Sequence, residues 1–586
     1  MITINVGPVL SYRGFKRHPN GITWNVTALI GVPDTSPTPN LWVEGRPAAS
    51  PMVLANRDGI TILRYDLSVE LESQERRVRY SIENQGPGWE FSAPAVMLDV
   101  RSAYVSCNGF SDPTVMRKLI HKAGAVWNDL VINHDRTLYP EAVLDKEQAW
   151  HVERGFGTVV QRFHVLMMGG DQMYFDSIWD DLPELKEWAD MDRSMQLAFA
   201  VSEELRLKIS KYYFNKYCER WLKPSRGSWS ADPQERDSAD AMARMPTVMM
   251  WDDHDIFDGW GSYSSEMQNC PLAQALFNSA REAFWVYQLQ HPLATLVPLK
   301  RQIPEIFDSP KFQPIAWTKI LAADPLALRL LDNQPGFSST MELGKVALLV
   351  LDLRTERSRT QVLSEHTMMA VDECLSQLSS ATTGGEIHHA VLMSSVPVAH
   401  PKLAAAEMLL DSFGCEHVVE SSADDLKDHW SHDDHESERK RLVRMLLRTA
   451  QEKRIRISIV SGDVHVAAWG NLFRNDANAS TNWLRIQQFT SSAVLHPAPS
   501  GPIEGLFLKM LDTAAARPQL IDTEHRCEMM HFPGHNKYMM AARNWLALEP
   551  DANHGDAGPR LWASWRCEGA TSYTNHLLAV HPTPAQ

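Results

Sequence analysis

The 586-residue sequence has few cysteines and no spacing that joins them. Its seven cysteines are an odd number, and none forms a Cys-x-x-Cys pair. Secreted disulfide frameworks usually contain an even number of cysteines at regular spacings. The count therefore argues against a disulfide scaffold and favours a reducing compartment.

Long apolar runs are also missing. No stretch approaches the roughly 20 apolar residues that a membrane-spanning helix needs. The start, MITINVGPVL, has no basic segment followed by a long apolar one, and no twin arginine. We therefore expect a protein without a transmembrane segment that resides in the cytoplasm.

Positive charge is in deficit. The chain has 57 basic and 72 acidic residues, a net charge of −15. A uniformly acidic surface repels polyphosphates and anionic membranes. Specific nucleic-acid binding is therefore not expected, and an anionic ligand would need a bound cation to attract it.

The pattern of apolar residues divides the chain into three regions. Short strand-like runs separated by Pro and Gly predict an N-terminal antiparallel β-sandwich of the immunoglobulin or fibronectin kind over residues 1–98. Strands alternate with helical segments over 99–545, which predicts an α/β catalytic domain. Helical insertions near 183–245 and 267–332 should cap its site. Residues 546–586 are expected to form a β-rich extension packed on that domain.

Within the α/β region, strand-like runs repeatedly end in small or polar clusters. In α/β sheets, ligands bind outside the carboxyl ends of the strands. We therefore expect these clusters to converge on one edge of a sheet. The runs and the clusters that follow them are SAYVS before CNGFSD, FHVLMM before GGDQMYFD, TVMMW before DDHD, KVALLVLD before LRTERS, HAVLMSS before VPVAH, RIRISIVS before GDVH and LRIQQFT before SSAVLHP.

Two of these clusters contain side chains that bind hard cations. Asp171 and Tyr174 offer a carboxylate and a phenol after one strand. Asp463 and His465 lie two residues apart, so in an extended segment they point to the same side. Each pair alone is equally explained by a turn aspartate and a packed neighbour.

The segment WDDHD is the most acidic of the clusters. Asp252, Asp253 and Asp255 would repel one another if they were close together and dry. A solvated turn or a helix cap is the simpler explanation, but the same chemistry at three strand ends favours a metal site. Cys107 follows another strand directly, which makes it a candidate thiolate ligand, although most cysteines are small buried apolar residues.

A second run of acidic residues and histidines, DHWSHDDHESERKRL, precedes a helix. We interpret it as a capping segment, with Trp430 or His432 lining the pocket as the alternative. His400 and His496 each follow a strand. Either could reach the site, but a structural role is the expectation.

The clusters, taken in order, resemble the alkaline phosphatase D (PhoD-like) family of calcineurin-like metallophosphoesterases. The resemblance spans most of residues 1–500 and implies a four-layer α/β/β/α sandwich behind an N-terminal β-sandwich. FDGWGS, which follows WDDHD, differs from the asparagine-rich version common in exported members. The matching stretches are SCN at 106–108, GDQMY at 170–174, WDDHD at 251–255, LDLRTER at 351–357 and SGDVH at 461–465.

The resemblance implies a two-metal centre in which one carboxylate bridges the ions. Asp171 is similar to that bridge, and Cys107 and Tyr174 are similar to ligands of a ferric ion. An oxygen-rich second site suits calcium. The implied cofactors are therefore Fe3+ and Ca2+, with zinc, manganese or magnesium as alternatives. The remaining implied ligands are Asp253, Asp463 and His465.

The same resemblance implies roles around the metals. His254 is similar to the histidine beside the substrate, where it would donate a proton or stabilise the transition state. Arg354 and Arg357 would hold phosphate oxygens. Further side chains expected behind the ligands or in the pocket are Asn108, Asp176, Asp252, Asp255, Trp430 and His400.

Together these features predict a metal-dependent hydrolase of phosphate esters, with a small molecule or a lipid as substrate. A metal-bridging hydroxide would attack phosphorus in line with the leaving oxygen. The alternatives are a lipid phosphodiesterase or esterase with the same centre, and a relative that binds metal without turnover.

Overall fold

The computed structural model describes residues 3–83, 88–138, 162–221, 238–301, 314–379, 385–402, 429–476, 483–551 and 559–583. These residues form a mixed α/β protein with several β-sheets. The strands, in chain order, are β1 Val6–His18, β2 Gly21–Pro33, β3 Leu41–Val43, β4 Arg46–Pro47, β5 Met52–Arg57, β6 Ile60–Glu70, β7 Arg76–Ile82, β8 Trp89–Ala93, β9 Ser102–Val105, β10 Val165–Gly169, β11 Thr247–Met250, β12 Ser339–Leu343, β13 Val346–Val350, β14 His389–Ser394, β15 Arg456–Ser461, β16 Ala467–Arg474, β17 Ile486–Ser491, β18 Gln519–Leu520, β19 His525–Met530, β20 Met539–Met540, β21 Asn544–Asp551, β22 Arg560–Cys567 and β23 Thr574–Val580.

Helices lie between the strands of the α/β region. Several of them fall in the two segments that the sequence predicts as helical insertions. The α-helices are α1 Ala125–Leu138, α2 Ile178–Asp181, α3 Pro183–Ala189, α4 Arg193–Ala198, α5 Glu203–Arg220, α6 Ser238–Met242, α7 Ser265–Asn269, α8 Pro271–Tyr287, α9 Trp317–Ile320, α10 Glu365–Ser376, α11 Glu436–Lys453 and α12 Pro502–Ala515; the 3-10 helices are Pro113–Lys118, Asp253–Asp255, Leu293–Thr295 and Asp433–His435.

Two large sheets and one small one organise the strands. The ten-stranded sheet has the order β23-β22-β21-β9-β10-β11-β1-β2-β6-β5, and the nine-stranded sheet has the order β12-β13-β14-β15-β17-β16-β19-β18 with β20 beside β16. The small sheet has the order β4-β3-β7-β8. At the centre of the first sheet β9, β10 and β11 are parallel, and in the second β13, β14, β15 and β17 are parallel.

The apolar core covers both faces of the large sheets. In β10, Met167 packs in a cluster shared by the two sheets, whereas Met168 packs in a cluster with helices α1, α5 and α8. In β13, Leu348 joins the shared cluster, and Leu349 packs with helices α10 and α11. Successive strand residues point to opposite faces. Burial on both faces explains why these parallel strands are apolar throughout.

The N-terminal strands differ from the separate sandwich expected for residues 1–98. β1 is hydrogen-bonded beside β11, with Ser11 opposite Thr247. β1, β2, β6 and β5 therefore continue the ten-stranded sheet, while β3, β4, β7 and β8 form the small sheet. Hairpins between neighbouring strands follow from local sequence, but the sheet that they join depends on contacts far along the chain.

The C-terminal strands join the ten-stranded sheet directly. The sequence predicts a β-rich extension packed on the catalytic domain, and β21 pairs with β9 through Leu546 and Tyr104. β22 and β23 then complete that edge of the ten-stranded sheet. Within the ranges given above, no helix combines the length and the apolar character that crossing a bilayer requires.

Candidate metal centre

An acidic cluster lies at the carboxyl ends of the parallel strands. β10 and β11 end in register, with Gly169 opposite Met250. Asp171 and Asp253 follow these two ends, and Asp463 follows β15 of the second sheet. The clusters predicted to converge from separate strands are therefore brought together.

The carboxylates are close enough to share cations. One oxygen each from Asp171, Asp252, Asp253 and Asp463 lie within 4.8 Å of one another, and Asp171, Asp253 and His254 form a second such group. Burial raises the pKa of Asp171 well above its ordinary value, and Asp253 and Asp252 add to the rise, although His254 opposes it. A cation would relieve this repulsion.

The predicted ligands sit on strained turns that point their side chains inward. Cys107, Asp171, Asp463 and His465 have φ values of 55°, 56°, 70° and 51°, in the left-handed region. That conformation costs a residue with a Cβ about 1–2 kcal/mol. Such strain concentrates at functional sites, where the surrounding structure enforces it.

Two glycines allow these turns to approach each other. Gly170 has φ of +100°, and a Cβ there would lie 2.8 Å from Cβ of Asp252. A Cβ on Gly109 would lie 2.1 Å from Cδ2 of Tyr174. Both loops therefore need glycine for close packing and not only for flexibility.

The thiol of Cys107 faces the cluster. Its Sγ lies 3.5 Å from Oδ2 of Asp171 and 3.1 Å from Oγ of Ser492. Burial raises the pKa of the thiol well above its ordinary value, and Asp171 raises it further. A thiolate at this position would therefore need a cation next to it.

Three buried oxygens of the predicted ligands accept no hydrogen bond from the described residues. They are Oδ1 of Asp171, Oη of Tyr174 and Oδ2 of Asp463. Buried oxygens are normally satisfied, because burial without a partner costs free energy. Carboxylate and phenol oxygens are ligands for hard cations. The residues therefore fit a metal centre.

His254 is held at the edge of the cluster. Its Nδ1 lies 2.9 Å from Oδ2 of Asp176, and its ring stacks on Tyr174 with centroids 4.2 Å apart. Burial by itself would lower the pKa of His254, but Asp176 and Asp253 raise it well above the ordinary value. Asp176 and Asp253 therefore favour the protonated form of the imidazole, which can donate a proton.

Arg354 contacts the acidic cluster itself. Its Nε donates a hydrogen bond to Oδ1 of Asp252, and its Nη2 lies 3.3 Å from Oδ1 of Asp253. Its Nη1 donates to the carbonyl of Trp260 at 3.0 Å. Burial raises the pKa of Asp252 to about 8 even though Arg354 opposes the rise. The guanidinium thus balances the charge of two carboxylates in the cluster.

Arg357 packs against the loop that follows His254. It is fully buried, and a Cβ on Gly261 would lie 2.1 Å from its Cγ. The structure therefore places Arg357 in the support of this loop.

Asp255 organises the backbone around the centre. Its carboxylate accepts hydrogen bonds from the amides of Asp252 at 2.9 Å and Met173 at 3.0 Å, and from Nε2 of Gln288 at 2.9 Å. The amide of Gln172 donates to it at 3.3 Å. Burial raises the pKa of Asp255 to about 7. This residue joins the loops that carry Asp171 and Asp253.

Asn108 has a similar supporting position. Its amide N–H donates to the carbonyl of Asp171 at 2.8 Å, and its Oδ1 accepts from Nε1 of Trp127 at 2.7 Å. These bonds tie the Cys107 loop to the Asp171 loop.

His465 stacks on a second imidazole that the sequence marked as structural. The rings of His465 and His496 are 3.8 Å apart with an interplanar angle of 19°. The amide of His465 donates to Oγ of Ser492 at 3.1 Å. Burial and His496 lower the pKa of His465 well below its ordinary value. Burial and His496 therefore favour the neutral ring, which is the form that binds metals.

The second acidic run contributes a residue that sequence reasoning missed. Nε2 of His429 lies 3.5 Å from Oδ2 of Asp463, and its ring lies 4.3 Å from that of His400. Trp430 instead packs in the core and donates to Oγ of Ser394 at 3.3 Å. His432 caps a short helix through the amide of Asp434. The composition of the run was a usable signal, but only the tertiary structure selects His429.

A buried cluster of carboxylates, with a thiol, a phenol and imidazoles at the ends of parallel strands, defines a candidate metal-dependent enzyme. The chain belongs to the family of PhoD-related phosphatases, whose model matches residues 155–309 and 409–540. This match confirms the family resemblance seen in the sequence motifs.

The chain is also similar to a yeast protein. It is 28% identical over 448 residues to the uncharacterized protein YGR266W of Saccharomyces cerevisiae, an alignment that covers 70% of this chain and 56% of the relative. The chain thus spans little more than half of that relative's length.

Proposed function

We propose that the protein is a metal-dependent phosphoesterase that hydrolyses phosphate monoesters or diesters. The observation that carries the proposal is the overlap of two groups of candidate ligand atoms, which share Asp171 and Asp253. A carboxylate shared in this way suits a bridge between two cations. Family membership supports a phosphoesterase-type activity.

The ligands divide into two sets around Asp171. Cys107, Tyr174 and His465 would complete a site suited to Fe3+, because it offers a thiolate, a phenolate and an imidazole. Asp253 and Asp463 would complete an oxygen-rich site suited to Ca2+. When bound, the two ions supply an acidified water and positive charge for the phosphate.

The remaining residues hold the ligands in position and supply a proton to the leaving group. His254, held by Asp176, delivers a proton to the leaving oxygen. Arg354 limits repulsion among the carboxylates, which keeps Asp252 and Asp253 in place. The in-line approach of water to phosphorus then depends on the loops that Asp255 joins.

The proposed architecture is a four-layer α/β/β/α sandwich. Its support is the set of three apolar clusters, one shared by the two large sheets and one on the helical side of each. The described cysteines are all free, which supports a reducing, cytoplasmic setting.

Metal removal tests the proposal. We expect purified protein to contain metal by elemental analysis and to hydrolyse p-nitrophenyl phosphate or its bis ester. Exhaustive chelation should abolish turnover, because the nucleophilic water depends on the ions, and iron with calcium should restore it.

The matched variants are Asp171→Asn and Asp190→Asn. The first should lose metal and at least about 1,000-fold in activity, a loss that corresponds to about 4 kcal/mol of transition-state stabilisation. The second changes an exposed carboxylate and should retain both. Full activity of metal-free protein would exclude this mechanism. Bound metal without hydrolysis of any ester would instead favour a binding protein.

A further inference from the structure

An apolar cavity of about 110 Å³ is lined in part by the loop that follows His254. Helix α8 forms its floor through Leu272, Ala273 and Leu276. The residues that line it include no charged side chain in the described chain. Its aromatic walls are Trp179, Trp188, Phe257, Trp260 and Tyr263.

Contacts of Tyr263 and Asp258 join the cavity wall to His254. Tyr263 on its wall donates a hydrogen bond from Oη to the carbonyl of Asp258 at 2.8 Å. Oδ1 of Asp258 lies 3.9 Å from Nε2 of His254. Phe257 follows His254 by three residues on the same loop. An ester whose leaving oxygen lies at His254 could therefore extend its apolar part toward this cavity.

A second connection runs through the backbone of the wall. The carbonyl of Trp260 accepts from Arg354, whose Nη2 also lies 3.3 Å from Asp253. Filling or emptying the cavity would thus act on the same loop that holds the cluster.

The size and lining favour a single ring. The cavity is much larger than the roughly 30 Å³ of liquid volume that one water occupies, and it approaches the roughly 150 Å³ of an apolar cavity that binds benzene. Its walls already pair edge to face, since Phe257 meets Trp179 at 83° and Trp260 at 76°. A further ring can add to this arrangement.

We infer that the cavity binds the aryl group of the substrate, so that aryl phosphate esters are preferred over polyol phosphate esters. The inference rests on the proposed phosphoesterase function. In the reaction, water adds to phosphorus and releases one proton to solvent, the bond from phosphorus to the aryl oxygen breaks, and that oxygen takes up the proton from His254. A neutral ring suits the site because no carboxylate lines it to balance a cation.

The test fills the cavity. Ala273→Leu places three extra carbons on its floor. Asn278→Leu introduces the same side chain on the same helix, at a half-buried position that borders an open groove on the surface. We expect Ala273→Leu to lower kcat/KM for phenyl phosphate at least about tenfold, the value of burying a ring. The kcat/KM for glycerol 2-phosphate should change less than about twofold, and Asn278→Leu should leave the kcat/KM of both esters unchanged.

Toluene binding to the protein, measured by NMR, separates the cavity from the catalytic function. Toluene binding that is lost in Ala273→Leu, while no ester is hydrolysed by wild-type protein, would support the cavity and overturn the phosphoesterase. If folded Ala273→Leu kept the wild-type ratio of kcat/KM for the two esters, the aryl subsite would be overturned but the phosphoesterase function would not. Phosphocholine tests for a cationic occupant instead. If Ala273→Leu lost activity on phosphocholine alone, the proposal of a neutral ring in the cavity would be overturned. If Ala273→Leu does not fold, the same two esters are compared with Ala273→Val, and toluene binding to the wild-type protein tests the cavity itself.

Discussion

At the residue scale, three of the predicted ligands carry buried oxygens without hydrogen-bond donors. Oη of Tyr174, Oδ1 of Asp171 and Oδ2 of Asp463 lie where a protein would normally supply hydrogen bonds. Asp255, only a few residues from the same cluster, is fully served by backbone and side-chain donors. The contrast separates candidate metal ligands from residues that hold the loops in place.

Tyr174→Phe tests that contrast. Removing an oxygen that has no protein donor should change the free energy of unfolding of metal-free protein by less than about 1 kcal/mol. The stabilisation added by iron should fall, because one ligand is lost. Urea unfolding with and without metal measures both effects.

Tyr213→Phe is the matched control. Oη of Tyr213 donates to the carbonyl of Ile256 at 2.6 Å. Its loss should cost about 1 kcal/mol with or without metal. If iron raised the free energy of unfolding equally in the two variants, Tyr174 would not be a ligand.

At the element scale, the centre depends on how strands β9 and β10 end. The loops after them are joined by the amide of Asn108 and the carbonyl of Asp171, 2.8 Å apart. Gly109 lets the first loop lie against the ring of Tyr174. The spacing of the ligands is therefore a property of two loops in contact.

Gly109→Ala should disturb this contact. The new Cβ would lie 2.1 Å from Cδ2 of Tyr174, so the ring or the loop must shift. We expect at least about a tenfold loss of phosphatase activity, since displacements of about 1 Å are costly in catalysis. Steady-state assays at saturating metal measure the loss.

Gly505→Ala provides the comparison for the same substitution. Gly505 lies in helix α12 with nothing within 4 Å of the added Cβ. Alanine there should stabilise the protein by about 0.5–1 kcal/mol and leave activity unchanged. Wild-type activity in Gly109→Ala would refute the role of the loop contact.

At the scale of the whole molecule, the ten-stranded sheet is assembled from three distant parts of the chain. β1, β2, β5 and β6 come from the N-terminal region, β9 to β11 from the middle, and β21 to β23 from the C-terminal region. Trp24 and Tyr12 of the first part pack in the same cluster as Leu348 and Val460 of the second sheet. The N-terminal region is therefore part of the shared core.

Deleting residues 1–98 should prevent folding of the remainder. The deletion exposes the edge of β11 and opens the cluster around Trp24, and an exposed apolar edge strand promotes aggregation. We expect fragment 99–586 to be insoluble or without a cooperative thermal transition. Trp24→Ala in the full chain should cost about 3–5 kcal/mol. A soluble, active fragment would show that the region is a separable domain.

Local sequence was sufficient for many elements of the fold. The runs SAYV, VLMMG and TVMM are strands, as their apolar residues predict, and the helix Glu436–Lys453 follows from its periodic pattern. The acidic and histidine clusters also follow these strands directly, so the carboxyl edge of the sheet could be predicted. These features depend on residues near one another in the chain.

The sequence by itself determined the strand and helix patterns, the ligand types after the strands and the family of the chain. Only the tertiary structure decided that β1 joins β11, that Arg354 contacts Asp252 and Asp253, and that His429 rather than Trp430 meets Asp463. Each of these pairings joins residues separated by tens to hundreds of positions. Local propensity carries no information about such contacts, because they form only when distant apolar surfaces are buried together.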